Sequence, residues 1–258
     1  MNINLVLYNN FVGTTKLYSF HPTNSTAKSL ILLGHGVDLN PEKMNDLLLE
    51  LNSLGHDVVR IALAGHRENE DPALCSSQLW IDEFITTYKY SKEIAEKKSY
   101  PLNFLGYSLS ALIALNLQIQ NTISFDKQVF LAPALELKQI TKVMKVLITF
   151  NYPSKLLPMA GQGFHINSFK ALFELQEIFQ TNKESIPDTK TLIITRKNDE
   201  VVSYEDTIRL INNFSLNSWT IKELDDSKKV KVQHFCFDKN CMDSYQWKGL
   251  IKDFELFF

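Results

Sequence analysis

The sequence predicts an α/β protein whose central sheet is mostly parallel and is covered by helices on both faces. Three observations support this fold class. Short, continuous apolar runs alternate with longer amphipathic segments from residue 29 to the end of the chain. Strands that are apolar throughout are typical of a parallel sheet that is buried on both faces. A 57-residue segment, 134–190, interrupts the alternation and predicts a helical insertion, since a bare loop of that length is uncommon.

The strands are predicted from apolar runs that stop at turn residues, and the helices from apolar residues at spacings of three and four. In chain order the predicted strands are a hairpin of Asn2–Tyr8 and Thr15–Phe20, then Ser29–Leu33, Asp57–Leu63, Leu102–Leu105, Gln128–Ala132, Thr191–Thr195 and Ser218–Glu223. The predicted helices outside the insertion are Pro41–Leu54, Leu74–Lys98, Ser110–Ile119, Tyr204–Ile211 and Asp243–Phe258.

The insertion itself carries two helical stripes. One runs from Leu137 to Ile148 and the other from Phe169 to Phe179, with a hinge-like stretch rich in proline and glycine between them. The sequence therefore predicts a core of residues 1–133 and 191–258 and a helical cap of residues 134–190. Because the cap leaves the sheet at the carboxyl end of a strand, we expect it to overhang the site. Phe150 and Leu157, near the hinge-like stretch, are its candidate substrate-binding residues.

The composition of the chain argues against some classes of partner and location. The chain has 258 residues, 45% of them hydrophobic, and its formal net charge is −2, which gives no electrostatic footprint for nucleic acid. The longest uncharged stretch, Ser99–Phe125, contains several amides as well as Pro101 and Gly106, so we expect no transmembrane segment. The first basic residue is Lys16, which argues against a signal peptide. Three cysteines also suit a reducing compartment, and we expect a cytoplasmic protein.

The sharpest local pattern is Gly106-Tyr107-Ser108-Leu109-Ser110, which follows an apolar strand and begins a helix. A serine on a tight strand-to-helix turn has a strained backbone, and small residues must flank it two positions away. The turn presents the Ser108 hydroxyl above the sheet. The N-terminus of the following helix, with the Leu109 N–H, points at the same place and stabilises negative charge there.

In these residues the chain resembles the α/β-hydrolase superfamily, and the resemblance covers most of its length. The pentapeptide around Ser108 looks like the family's nucleophile elbow, although Ser110 stands where glycine is usual. The other matching segments, in the family's order, are Leu33-Gly34-His35-Gly36-Val37, Gly65-His66, Leu131-Ala132-Pro133, the acid loop Arg196–Val202 and Gln233-His234-Phe235.

The resemblance implies a role for each candidate. Ser108 would be the nucleophile, His234 the general base and Asp199 the acid that orients it. The N–H groups of Val37 and Leu109 would form the oxyanion hole. The rival acids are Glu200, Asp225 and Asp226, while His165 lies in the presumed cap and the remaining histidines precede the nucleophile. The implied chemistry needs no cofactor and no metal.

The function that follows is a serine hydrolase acting on carboxylic esters, with a simple carboxylester, a lysophospholipid or a monoacylglycerol as the small-molecule substrate. An acyl-thioesterase would use the same groups. A ligand-binding protein that has lost turnover is the alternative outside enzymes, and a peptidase is less favoured because no peptide-binding edge is marked. The sequence leaves the oligomeric state open.

Overall fold

The computed structural model describes residues 11–12, 15–138 and 165–258. The strands are β1 (Phe11–Val12), β2 (Thr15–Lys16), β3 (Tyr18–His21), β4 (Ser29–Gly34), β5 (His56–Ile61), β6 (Leu102–Tyr107), β7 (Gln128–Leu131), β8 (Thr191–Arg196) and β9 (Trp219–Leu224). The α-helices are α1 (Asn45–Ser53), α2 (Ser77–Lys98), α3 (Leu109–Ile119), α4 (Ile166–Asn182), α5 (Tyr204–Asn213) and α6 (Ser244–Phe257).

Seven of the described strands form one sheet in the order β3-β5-β4-β6-β7-β8-β9. Only the β3–β5 pairing in this sheet is antiparallel, and each of the other pairings is parallel. Every residue of β4, β6, β7 and β8 is buried, as expected for strands covered on both faces. Helices α2 and α3 pack on these inner strands and α1 packs on β5. The predicted fold class is therefore confirmed.

The predicted N-terminal hairpin can be compared with the structure only in its second strand. Residues 2–8 lie outside the described residues, and the antiparallel pair that is described joins Phe11–Val12 to Thr15–Lys16. The second predicted strand, Thr15–Phe20, is divided at Leu17, whose carbonyl accepts a hydrogen bond from the Ala62 N–H at 2.8 Å. The chain then continues as β3, the antiparallel edge strand of the main sheet, with Tyr18 opposite Ile61.

Two predicted helices begin later than the apolar periodicity indicates. Residues Pro41–Met44 form a 3₁₀ turn before α1, and Pro72–Leu74 form a separate 3₁₀ turn before α2. The start of α2 is fixed by Ser76, whose hydroxyl accepts a hydrogen bond from the Leu79 N–H at 3.2 Å. Proline favours such starts because its fixed φ suits a first turn.

The insertion is described only at its two ends, residues 134–138 and 165–190. Helix α4 contains the second predicted stripe and packs against α3 and α2. Two side-chain bonds tie it down: Asn116 Nδ2 donates to the Leu175 carbonyl and Gln176 Nε2 to the Ala134 carbonyl, each at 2.9 Å. The first predicted stripe begins at Leu137, which forms an isolated antiparallel bridge with Val202. The rest of that stripe, Phe150 and Leu157 lie outside the described residues, so the division into core and cap stays a prediction.

Candidate active site

The candidate nucleophile lies on a sharp turn between β6 and α3. Ser108 has φ 49° and ψ −105°, a backbone conformation that an L-residue adopts only under constraint. Gly106 makes the turn possible, because a Cβ at this position would lie 2.5 Å from the Phe104 ring and 3.0 Å from the Ala111 nitrogen. The turn therefore requires a residue without a side chain before the serine, as the sequence pattern predicts.

Ser110, the departure from the usual pattern, fits because a glycine faces it. A Cβ on Gly34 would overlap the Ser110 Cβ, so the absence of a side chain on the neighbouring strand leaves room for the serine. The Ser110 hydroxyl donates a hydrogen bond of 2.5 Å to the carbonyl of His35. The Ser110 hydroxyl thus connects helix α3 to the loop after β4. This loop, residues 35–38, is called the candidate oxyanion loop.

Ser108, Asp199 and His234 meet at the carboxyl end of the sheet. His234 Nε2 lies 3.0 Å from Ser108 Oγ, and His234 Nδ1 lies 2.8 Å from Asp199 Oδ2. All three side chains are buried, with Asp199 fully so. Three groups separated by up to 126 positions in the sequence therefore form one hydrogen-bonded chain. Among the described residues, no hydrogen bond joins the carboxylate of a rival acid, Glu200, Asp225 or Asp226, to the His234 ring.

The surroundings of Asp199 keep its carboxylate ionised. Burial alone would raise the pKa of Asp199, but the interaction with His234 and the N–H groups of Val202 and Val201 outweigh it and lower that pKa. The Val201 and Val202 N–H groups donate to Oδ1 at 2.8 and 3.0 Å, which leaves Oδ2 for the imidazole. The acid loop is itself anchored at the start of the insertion, where the Lys138 N–H donates to the Val201 carbonyl at 2.9 Å.

An ionised acid at Nδ1 selects one form of the imidazole. The Nδ1–H of His234 donates to Asp199, so the lone pair on Nε2 faces the Ser108 hydroxyl. The Ser108 hydroxyl can then donate to Nε2 and pass its proton along that bond. This is the protonation state a general base needs before it acts.

Two neutral histidines hold the candidate oxyanion loop. His35 donates from Nδ1 to the Gly36 carbonyl at 2.8 Å and accepts the Leu63 N–H at Nε2 at 3.1 Å. His66 accepts the Asp38 N–H at Nε2 at 3.0 Å. Burial lowers the pKa of both rings, that of His66 to about 4, so each stays neutral and can accept at Nε2.

The loop that carries His66 is in turn fixed by helix α2. Glu83 of α2 forms a buried ion pair with Arg67, and its other oxygen accepts the Ala64 N–H at 2.7 Å. Trp80 Nε1 donates to the Ala64 carbonyl at 2.9 Å. The sequence pattern marks Gly65-His66 but not this buried support, because Glu83 and Trp80 lie far along the chain and share no recognisable spacing with the loop.

The two predicted oxyanion donors belong to this arrangement. Val37 lies in the loop between His35 and Asp38, which the contacts above hold at both ends. Leu109 is the first residue of α3, where a backbone N–H has no intrahelical acceptor. Their N–H groups stay the predicted donors. Among the described residues there is no cluster of histidine, cysteine or acidic side chains that could hold a metal ion, and the three cysteines are buried free thiols.

Comparison with known proteins identifies the family. Residues 25–161, more than half of the chain, match the family model described as serine aminopeptidase, S33. The chain belongs to this family of α/β-hydrolases. A comparison with curated proteins gives no match.

Solved structures share the whole fold with this α/β-hydrolase at low sequence identity. A soluble variant of monoglyceride lipase from Saccharomyces cerevisiae, in complex with a substrate analogue, has a TM-score of 0.74 and 13% identity over 93% of this chain and 89% of its own. A carboxyl esterase from Bacillus coagulans, in complex with glycerol, has a TM-score of 0.67 and 12% identity over 93% of each chain. A monoacylglycerol lipase from Paleococcus ferrophilus has a TM-score of 0.65 and 16% identity over 93% and 98%. At these identities the likeness shows the fold alone.

Proposed function

We propose that this α/β-hydrolase is a serine hydrolase that cleaves carboxylic esters through an acyl-enzyme intermediate. The hydrogen-bonded chain from Ser108 through His234 to Asp199 is the observation that carries the proposal. A serine hydroxyl is a poor nucleophile until a base accepts its proton, and His234 Nε2 lies 3.0 Å from the Ser108 oxygen while Nδ1 faces the Asp199 carboxylate. The structures named above, two lipases and an esterase, fit the same chemistry.

In the proposed reaction Ser108 Oγ attacks the ester carbonyl carbon while His234 Nε2 takes the hydroxyl proton. The negative charge that develops on the carbonyl oxygen is stabilised by the N–H groups of Val37 and Leu109, each contributing about 3–4 kcal/mol by analogy with other oxyanion holes. His234 returns the proton to the departing alcohol oxygen. A water molecule then releases the acid from Ser108 by the same steps, and Asp199 stabilises the imidazolium in both.

The substrate class remains broad. Simple carboxylesters, monoacylglycerols and lysophospholipids are the proposed candidates, since the chemistry requires only an ester carbonyl that reaches Ser108. An acyl-thioester offers the same carbonyl to the same groups and is the alternative substrate. The family description names an aminopeptidase, which adds aminoacyl amides to the compounds worth testing.

A substrate panel with one matched variant tests the proposal. Purified wild type and Ser108→Ala would be assayed with p-nitrophenyl butyrate, butyryl-coenzyme A and leucine p-nitroanilide. We expect ester hydrolysis by the wild type and a loss of about 10⁶-fold in kcat in the variant, with an unchanged melting temperature. Equal ester hydrolysis by both proteins would overturn the proposal. Faster turnover of the thioester or the anilide would keep Ser108 as the nucleophile but move the substrate class.

In the parts of the chain that the structure describes, no helix combines the length and the apolar character needed to cross a bilayer. A cytoplasmic location stays a prediction.

A further inference from the structure

The candidate base, His234, lies in a long irregular loop whose position must be fixed by contacts with the rest of the protein. This loop, called the base loop and comprising residues 225–243, connects β9 to α6 without helix or strand. A backbone without ladder hydrogen bonds needs other partners for its N–H and carbonyl groups. Proton transfer also requires His234 to stay within a fraction of an ångström of its working position, because a misplacement of about 1 Å can cost on the order of 10²-fold in rate.

Arg196, the last residue of β8, bonds more of these carbonyls than any other single side chain of the described residues. Its side chain is buried, with 1% of its surface exposed. The guanidinium donates to four base-loop carbonyls: Asp225 at 3.0 Å, Gln233 at 2.8 Å, Phe235 at 2.7 Å and Cys241 at 3.2 Å. These acceptors lie at both ends of the loop and on both sides of His234.

The arrangement uses what distinguishes arginine from lysine. The guanidinium presents several N–H donors in a rigid plane and stays charged when buried, whereas an ammonium group donates from a single nitrogen. Hydrogen bonds from a charged donor are also stronger than neutral ones. One side chain therefore gathers carbonyls that lie up to 16 residues apart in the sequence, from Asp225 to Cys241.

Glu200 holds the same segment through its N–H groups. Its Oε2 accepts the Gln233 N–H at 2.7 Å and the His234 N–H at 3.3 Å. The Tyr107 hydroxyl donates to the His234 carbonyl at 3.2 Å. The peptide groups immediately before and after His234 are thus bonded on both their donor and acceptor sides.

We propose that Arg196 and Glu200 form a clamp that positions His234 for catalysis. Both residues lie in the acid loop, on either side of Asp199, so one short segment supplies the acid and also grips the loop that carries the base. They are positioning residues, since neither forms a hydrogen bond with the His234 ring or with Ser108 Oγ. The inference rests on the proposed function, in which His234 is the base, and adds what keeps that base in register.

Glu200 gives the cleaner test because its side chain is exposed and its replacement should not unfold the protein. Glu200→Ala removes the acceptor, while Glu200→Gln retains an oxygen that can accept both N–H groups. With p-nitrophenyl butyrate we expect Glu200→Ala to lose about tenfold in kcat with KM unchanged, and Glu200→Gln to stay within about twofold of wild type. Lys197→Gln, an exposed change in the same loop, is the matched control.

Arg196 is tested by a conservative change and by chemical rescue. Arg196→Lys keeps the charge but loses the fork, and we expect kcat to fall about 10- to 100-fold. In Arg196→Ala, added guanidinium chloride at millimolar concentration should raise kcat, whereas sodium chloride at equal ionic strength should not. If the alanine variant does not fold, the Glu200 pair and Arg196→Lys still decide the question.

The rate of reaction with a fluorophosphonate separates this inference from the proposed function. No reaction of the wild type would mean that the proposed function fails. If the wild type, Arg196→Lys and Glu200→Ala all react at the same rate, the clamp is overturned, while the proposed role of the triad stands. Equal losses in Glu200→Ala and Glu200→Gln would also overturn it, because the glutamine keeps the acceptor that positions the loop.

Discussion

Replacing Asp199 by asparagine tests the electrostatic part of the site with the smallest change of shape. In Asp199→Asn the amide oxygen could still accept the Val201 and Val202 N–H groups, which now reach Oδ1 at 2.8 and 3.0 Å. The amide nitrogen would then face His234 Nδ1, and an N–H cannot accept from an N–H. The imidazole would shift its proton to Nε2, where it would face Ser108 as a donor instead of a base.

The expected loss is about 10⁴-fold in kcat, which corresponds to about 5.5 kcal/mol of transition-state stabilisation. The assay is hydrolysis of p-nitrophenyl butyrate at saturating substrate, with thermal unfolding as the check on folding. Asp226→Asn is the control, since Asp226 is an exposed acid of the base loop whose carboxylate accepts from Asn198. If Asp199→Asn kept its kcat within about tenfold of wild type, the assignment of the acid would be refuted.

Three further outcomes follow from the same structure. The buried rings of His56 and His66 have pKa values lowered to about 4, so the unfolded chain binds more protons than the folded one between pH 6.5 and 4. The free energy of unfolding should therefore fall as the pH falls through this window, by up to about 3 kcal/mol per ring. Urea unfolding at pH 7.5 and 4.5 measures this loss, and equal free energies of unfolding at the two pH values would contradict the prediction. Ser110→Ala removes the 2.5 Å bond to the oxyanion loop and should lower kcat roughly fivefold with little change in melting temperature; an unchanged kcat would separate that bond from catalysis. In a series of p-nitrophenyl acetate, butyrate, octanoate and laurate, kcat/KM should rise from acetate to octanoate, since each buried methylene contributes about 0.8 kcal/mol. The rise should shrink when Phe150 or Leu157 is made polar, and a steady fall from acetate onward would refute the predicted apolar pocket.

The sequence predicted the inner sheet well because its strands carry their own signal. A strand such as Leu30–Leu33 is apolar throughout and is fully buried in the structure, and the residue pattern alone indicates that. The second strand of the predicted N-terminal hairpin was predicted less well. The run Thr15–Phe20 predicts one strand, whereas the structure has two short strands with different partners, Val12 opposite Thr15 and Ile61 opposite Tyr18. The residue pattern alone does not specify those partners.

In the candidate site, too, some features follow from local sequence and others depend on residues that are distant in the chain. Ser108 is set by a local motif, since the turn depends on Gly106 two residues away. Asp199 and His234 could be chosen from the order of segments that resemble the family, and the structure brings both to Ser108.

The supporting residues could not be found in this way. Arg196 lies in the segment that resembles the acid loop, but its four acceptors become neighbours only when the base loop folds over the end of β8. Glu200 was weighed only as a rival acid, because an isolated carboxylate next to an aspartate gives no sign that it accepts backbone N–H groups. Positioning contacts of this kind depend on tertiary structure, not on spacing.

Covalent labelling of Ser108 tests the central claim most directly. The protein would be treated with a fluorophosphonate at pH 8 and examined by intact-mass and peptide mass spectrometry, alongside Ser108→Ala and His234→Ala. The account predicts one phosphonyl adduct per wild-type chain, located on Ser108, no adduct on Ser108→Ala, and labelling slowed by orders of magnitude in His234→Ala. A folded wild-type protein that takes no adduct, or one labelled at another serine, would contradict it.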